Sequence, residues 1–138
     1  MAETEVPEAQ VGDVTFGLAW DLRDGSLRGE LEAVNVSDHP VRLSGKPGLT
    51  PVGTDGRPLE ADTAVTLEMR HPGYVDLKPG ERAKSPVGWG GWDGPPASGK
   101  VVVRWEGGEA EVEATGPLQP ESHGPATNLY SSWFSRVE

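Results

Sequence analysis

The sequence predicts an all-β fold, and three observations lead to this prediction. Apolar and polar residues alternate along residues 14–22, which is the period of a strand with one buried face. Turn dipeptides such as Asp24-Gly25 and Asp55-Gly56 separate short apolar runs throughout residues 13–114. The 19 Gly and 13 Pro residues fit frequent turns between short strands. Together these features indicate an immunoglobulin-like antiparallel β-sandwich of seven to eight strands.

The first two strands form the clearest predicted hairpin. On the first strand the apolar face consists of Val14, Phe16, Leu18, Trp20 and Leu22. Asp24-Gly25 suits a type I′ turn, because both central residues of that turn need a positive φ. The second strand starts with Leu27, Gly29, Leu31 and Ala33 on one face and then changes phase to Val34 and Val36. A change of phase within a strand predicts a bulge or a sheet edge.

Turn chemistry also places the later strands. Asp55-Gly56 predicts a further hairpin turn, and Lys78-Pro79-Gly80-Glu81 predicts a type II turn with Pro at the second position and Gly at the third. The final hairpin is expected to join residues 100–105 to residues 110–114. The sandwich domain is therefore expected to span residues 13–114, behind a flexible acidic arm of residues 1–12.

The remaining segment, residues 115–138, has a different pattern. It opens with Gly- and Pro-rich linker chemistry. Apolar residues then recur at positions i, i+1, i+4, i+5 and i+8, namely Leu129, Tyr130, Trp133, Phe134 and Val137. This spacing is typical of one face of a helix, and it predicts a short C-terminal amphipathic helix.

Charge and composition exclude several classes of protein. The net charge of −10 argues against nucleic-acid binding, which depends on clustered Lys and Arg. No run of about 18 apolar residues is present, so no membrane span is predicted. Residues 1–10 are acidic and lack an apolar segment, so no signal peptide is predicted and the compartment stays open. The chain has no Cys, which excludes disulfides and thiolate metal sites.

The middle of the chain resembles an actinobacterial family of unknown function that consists mainly of secreted proteins and lipoproteins. The residues that carry the resemblance are Leu43-Ser44-Gly45-Lys46-Pro47-Gly48-Leu49, Asp55-Gly56 and Leu77-Lys78-Pro79-Gly80-Glu81-Arg82-Ala83, within residues 14–114. The resemblance implies an immunoglobulin-like sandwich in an extracellular or cell-envelope setting. It implies no catalytic residues.

A glycine-rich stretch with two tryptophans is the first candidate site. It reads Gly88-Trp89-Gly90-Gly91-Trp92-Asp93-Gly94. Such a loop could stack a sugar ring or another flat ligand on Trp89 and Trp92, with Asp93 accepting hydrogen bonds from hydroxyls. The alternative is that Trp89 belongs to the core and Trp92 covers one end of the sandwich.

The C-terminal aromatic residues form the second candidate site. Leu129, Tyr130, Trp133 and Phe134 could dock as one helix face into the groove of a protein partner. The alternative is that this segment folds back over its own domain, because a free tail rarely exposes three aromatic residues.

The sequence contains no recognisable catalytic motif. We therefore predict no catalytic residues, no metal site and no cofactor. The expected function is a non-catalytic binding or interaction module. A small-ligand or carbohydrate-binding sandwich that uses the Trp89–Trp92 loop is the first alternative, and an enzyme or enzyme inhibitor is the second.

Overall fold

The computed structural model describes residues 6–61, 63, 69–122 and 129–137. Within these residues the chain is all-β, and the secondary structure contains strands and no helix. The strands are β1 (Val14–Arg23), β2 (Ser26–Asn35), β3 (Val41–Ser44), β4 (Gly48–Gly53), β5 (Tyr74–Leu77), β6 (Arg82–Trp89), β7 (Ala97–Trp105), β8 (Gly108–Glu113), β9 (Tyr130–Ser131) and β10 (Ser135–Arg136).

The strands form antiparallel sheets. The largest has the order β1-β2-β6, and both β9 and β10 pair with the far side of β6. A second sheet has the order β4-β7-β8, and β3 pairs with β5 in a two-stranded ribbon. All of these ladders are antiparallel, as the sequence predicts.

The predicted turns appear in the structure. Arg23 pairs with Ser26, so the β1–β2 loop contains only Asp24 and Gly25, with φ values of 52° and 83°. These two positive values are those of the predicted type I′ turn. At the later turn the Glu81 amide donates to the Lys78 carbonyl at 2.9 Å and Gly80 has φ 85°, as a type II turn requires.

A single core lies between the sheets. Buried side chains from the largest sheet, including Leu18 and Leu31, share one cluster with Val103 and Val112 from the second sheet. An aromatic contact joins them directly, because the rings of Phe16 on β1 and Trp105 on β7 have centroids 4.9 Å apart. The alternation predicted for β1 is observed from Val14 to Trp20, whereas Leu22 beside the turn is exposed.

The second strand keeps its phase by burying a polar residue. Asn35 is 1% exposed and Val36 is 54% exposed, so the predicted change of phase is wrong. The Asn35 amide nitrogen donates to the carbonyls of Leu77 and His39, each at 2.9 Å. Its side-chain oxygen accepts from the Ser37 amide at 2.9 Å and from the Ser37 hydroxyl at 2.6 Å. These bonds offset the cost of burying the amide and tie β2 to the end of β5.

The β3–β5 ribbon carries a charged pair on its surface. Arg42 bonds to Asp76 at 2.8 Å, and its guanidinium carbon lies 3.7 Å from the centre of the Tyr74 ring. The hydrogen bond to Asp76 raises the pKa of Arg42 above its usual value. This ion pair joins two directly opposite residues and so links β3 to β5.

Segments outside the named strands also lie against the sheets. In the expected N-terminal arm, the Ala9 amide donates to the Arg42 carbonyl at 2.8 Å, and the Ala9 carbonyl accepts from the buried Trp105 indole at 2.7 Å. After residue 114, Thr115 pairs with Ala19 on β1, and Pro120 is fully buried. Residues 7–9 and 115–121 therefore contact the body formed by residues 13–114.

The C-terminal segment is extended, so the predicted amphipathic helix is wrong. Tyr130 pairs with Gly88, Ser131 pairs with Val87, Ser135 pairs with Lys84 and Arg136 pairs with Ala83. The amides of Ser132 and Val137 donate to carbonyls on β6, at 3.0 and 2.8 Å. Residues 129–137, which we call the tail strand, thus form the edge of the largest sheet.

A β-bulge explains why this segment has the spacing of a helix. From Lys84 to Val87 the chain advances three residues, whereas the paired tail advances four residues from Ser135 back to Ser131. Residues five apart on a regular strand point to opposite faces, but one extra residue brings them to the same face. Leu129 and Phe134 consequently both enter the core, at 3% exposure each.

We expect Asn35→Ala to lower the free energy of unfolding by roughly 3 kcal/mol, because it leaves two carbonyls without their donor in a buried site. Val36→Ala is the matched control, and as an exposed substitution it should stay within about 0.5 kcal/mol. Chemical denaturation of both variants measures the difference. A larger loss for Val36→Ala than for Asn35→Ala would show that the strand has the opposite phase.

We expect Phe134→Ala to cost about 3–5 kcal/mol, the usual range for removing a buried aromatic ring. Arg136→Ala, two residues further along the tail strand and exposed, should change stability by less than about 0.5 kcal/mol. Thermal melting of the two full-length variants provides the comparison. Equal melting points would mean that the tail strand does not pack against the core.

Candidate functional site

The glycine-rich loop begins where β6 ends and leads to β7. Trp89 is the last residue of β6 and is 3% exposed, so its ring belongs to the core. Trp92 is half-buried, and its ring centroid lies 5.6 Å from that of Trp89 with an angle of 51° between the planes. Asp93 is exposed. The two indoles therefore have different roles, because only Trp92 presents ring surface to solvent.

Several contacts fix the position of Trp92. Its indole N–H donates to the Pro95 carbonyl at 2.8 Å, and its backbone amide donates to the Glu121 carbonyl at 3.3 Å. Gly94 lies against the ring so closely that a Cβ at that position would be 2.5 Å from it. The Glu121 amide in turn donates to the Gly25 carbonyl at 2.9 Å, which anchors the support to the β1–β2 turn. These contacts hold the Trp92 side chain in one position.

The free side of Trp92 forms one wall of an open cavity with a volume of about 410 Å³. The turn after β4 supplies most of the lining, which consists of Asp55, Arg57, Pro58, Leu59, Glu60, Trp92 and Pro95. This turn is braced internally, because the Asp55 carboxylate accepts from the Arg57 amide at 3.0 Å and the Gly53 amide donates to the Arg57 carbonyl at 2.8 Å. We call this space the Trp92 cavity.

The cavity brings together groups that are far apart in the sequence. In the sequence, Asp55 is marked only by its turn dipeptide, and Arg57 and Glu60 carry no signal of their own. A turn pattern does not show which other loop the turn will face. The described lining does not include Asp93, the residue that the sequence placed beside Trp92. An aromatic face with prolines beside it and charged groups opposite can stack a ring and hydrogen-bond its substituents.

The predicted partner-binding residues lie along the tail strand. Leu129 and Phe134 are buried in the core, and the Phe134 ring centroid is 6.4 Å from that of Phe16. Tyr130 is half-buried and lies directly over Gly88, where a Cβ would come within 2.2 Å of its ring. Trp133 is half-buried, with the Lys46 ammonium 5.3 Å from its ring centre. These four side chains therefore do not form one exposed helical face.

The described residues contain neither a cluster of metal ligands nor a membrane-spanning helix. Among the described residues, no group of three or more His, Cys, Asp or Glu side chains is arranged to hold a metal ion. In the same part of the chain, no helix has the length and apolar character needed to cross a membrane.

Comparison of the chain with known protein families finds a match. The domain of unknown function DUF4232 matches residues 10–130, which is most of the 138-residue chain. The chain belongs to the DUF4232 family. The match includes the Trp92 loop, the turn after β4 and the first residues of the tail strand. The function of this family is unknown, so membership brings no assigned activity with it. No curated protein and no solved structure matches the chain.

We expect Gly94→Ala to displace the Trp92 indole, because the added methyl group would lie 2.5 Å from the ring. The indole N–H should lose its bond to Pro95, exchange faster with solvent and shift in proton–nitrogen correlation spectra, with a stability loss of about 1–2 kcal/mol. Gly17→Ala is the control, since no atom lies within 4 Å of that added group. An unchanged Trp92 signal in Gly94→Ala would contradict the described packing.

Proposed function

We propose that this DUF4232 domain is a non-catalytic binding module that holds a small polyhydroxylated ligand, such as a sugar unit, in the Trp92 cavity. The observation that carries the proposal is that Trp92 is fixed by several contacts yet is only half-buried and lines a cavity. A ring fixed in advance loses little freedom on binding, which favours affinity.

The chemistry of the lining supports a sugar-like ligand. Trp92 and the prolines offer apolar surface for the C–H face of a sugar ring, while Asp55 and Glu60 can accept hydrogen bonds from its hydroxyls. The exposed Arg57 guanidinium offers several N–H donors on the same wall. The volume of the cavity, about 410 Å³, falls in the lower part of the range for small-molecule sites.

We also propose that the domain is an immunoglobulin-like sandwich and that it acts outside the cell or at the cell envelope. An immunoglobulin-like sandwich is supported by antiparallel sheets that share one core. An actinobacterial, secreted or cell-envelope setting is supported by the resemblance of the Leu-Lys-Pro-Gly-Glu turn and its neighbours to that family. A module that binds glycans without changing them would suit such a setting.

The test is a titration of the full chain with a panel of neutral mono- and disaccharides, followed by proton–nitrogen correlation spectroscopy. Each of the five tryptophans carries one indole N–H, so the other four indoles serve as internal controls for Trp92. We expect a saturable shift of the Trp92 signal and of the Arg57 and Glu60 amides. The signals of the buried Trp20 and Trp105 should not move.

Matched variants distinguish the cavity from the rest of the loop. Trp92→Leu and Glu60→Gln should weaken binding about tenfold or more, whereas Asp93→Asn should bind like the unaltered chain. If Asp93→Asn weakens binding while Glu60→Gln does not, the ligand lies on the other side of the loop. If no saccharide in the panel shifts the Trp92 signal, the proposal is wrong.

A further inference from the structure

A second cavity, independent of Trp92, lies between β4 and the tail strand. Its volume is about 340 Å³, and most of its surface is apolar. The described lining consists of Lys46, Pro47, Gly48, Leu49, Thr50, Thr63, Arg104, Leu129, Tyr130 and Ser131. We call it the tail cleft, because residues 129–131 form one of its walls.

The return of the chain past β4 creates the tail cleft. The Ser131 hydroxyl donates to the Pro47 carbonyl, and Leu129 pairs with Thr63. On the opposite side Gly48 pairs with Arg104 across the β4–β7 ladder, so the missing side chain of Gly48 leaves room beside the arginine stem. Leu49 and Leu129 lie at 7% and 3% exposure and supply apolar atoms to the interior of the cleft.

The charge of the tail cleft is opposite to that of the chain. The protein has 22 acidic and 12 basic residues. Two of the basic residues, Lys46 and Arg104, line this one cleft, and its described lining contains no carboxylate. The Trp92 cavity, by contrast, has both Asp55 and Glu60. A cleft lined by two cationic side chains and by apolar side chains favours an anionic ligand with a short apolar part.

We propose that the tail cleft binds a small aliphatic carboxylate, with its carboxylate between Lys46 and Arg104 and its chain against Leu49 and Leu129. Arginine binds carboxylates through two parallel N–H donors, and a lysine ammonium adds a second charge. The cation–π contact of Lys46 with Trp133 keeps its ammonium near the tail strand.

The existing partner of Arg104 does not prevent this role. Arg104 contacts Glu109 at 3.3 Å, but both side chains are about 60% exposed. An ion pair that exposed contributes little, so the guanidinium can exchange Glu109 for a ligand carboxylate or contact both. Lys100 forms a similar exposed pair with Glu111 at 3.8 Å on the same two strands, outside the described lining of the cleft.

The test uses hexanoate as the probe, titrated into the full chain and followed by proton–nitrogen correlation spectroscopy. We expect saturable shifts of the Gly48, Thr50 and Ser131 amides in the millimolar range. Hexanol, which lacks the charge, and acetate, which lacks the chain, should each bind at least about tenfold more weakly. The Trp92 indole signal should stay in place, which separates this site from the one proposed for sugars.

Charge variants complete the test. Lys46→Gln and Arg104→Gln should each weaken hexanoate binding about fivefold to tenfold. Lys100→Gln is the matched control, since it removes one equal charge from a neighbouring pair, and it should bind hexanoate like the unaltered chain. The proposal is overturned if Lys100→Gln weakens binding as much as Arg104→Gln does, if hexanol binds as well as hexanoate, or if hexanoate produces no saturable shift.

Discussion

Most of the structure depends on how the chain covers the outer edge of β6. An uncovered edge leaves a row of backbone N–H and C=O groups open to other chains. The tail strand covers it, and amides of Ser132 and Val137 bond to β6 carbonyls. The same pairing carries Leu129 and Phe134 into the core. Its bulge lies opposite Pro86, a residue that strands tolerate at bulges and edges. One chain segment therefore adds an edge strand to the largest sheet and two buried side chains to the core.

Both cavities are formed by segments that pack against the sheets. The Trp92 cavity is supported by residues 115–121, which run from β1 to the Trp92 loop and bond to both. The tail cleft exists because residues 129–131 return past Pro47 at the start of β4. The described lining of the Trp92 cavity lies outside the named strands, whereas the tail cleft includes residues of β4, β7 and β9. The Trp92 cavity thus lies on connecting loops that the β-sheets hold in place, which is a common location for binding sites.

The sequence predicted much of the fold, because turns and strand alternation depend on local chemistry. Two turns form as expected, because the local conformational preferences of their residues favour one turn type: Asp24-Gly25 and Lys78-Pro79-Gly80-Glu81. Two errors arose where distant contacts decide. The bulge gives the tail strand a helical spacing. Asn35 is buried because its amide donates to the carbonyl of Leu77, 42 residues away, as well as to that of nearby His39. Trp92 stood out as an aromatic residue among glycines, but Arg57 and Glu60 meet it only through tertiary packing.

Native-state hydrogen exchange of the tail amides tests the central claim, that the tail strand is an edge strand of the largest sheet. If the tail strand pairs with β6, the Ser132 and Val137 amides, which bond to the Pro86 and Arg82 carbonyls, should exchange much more slowly than the amides of an unstructured peptide. Their protection should fall in Phe134→Ala. Exchange of Ser132 and Val137 at the rate of an unstructured peptide, with unaltered protection in β6, would contradict it.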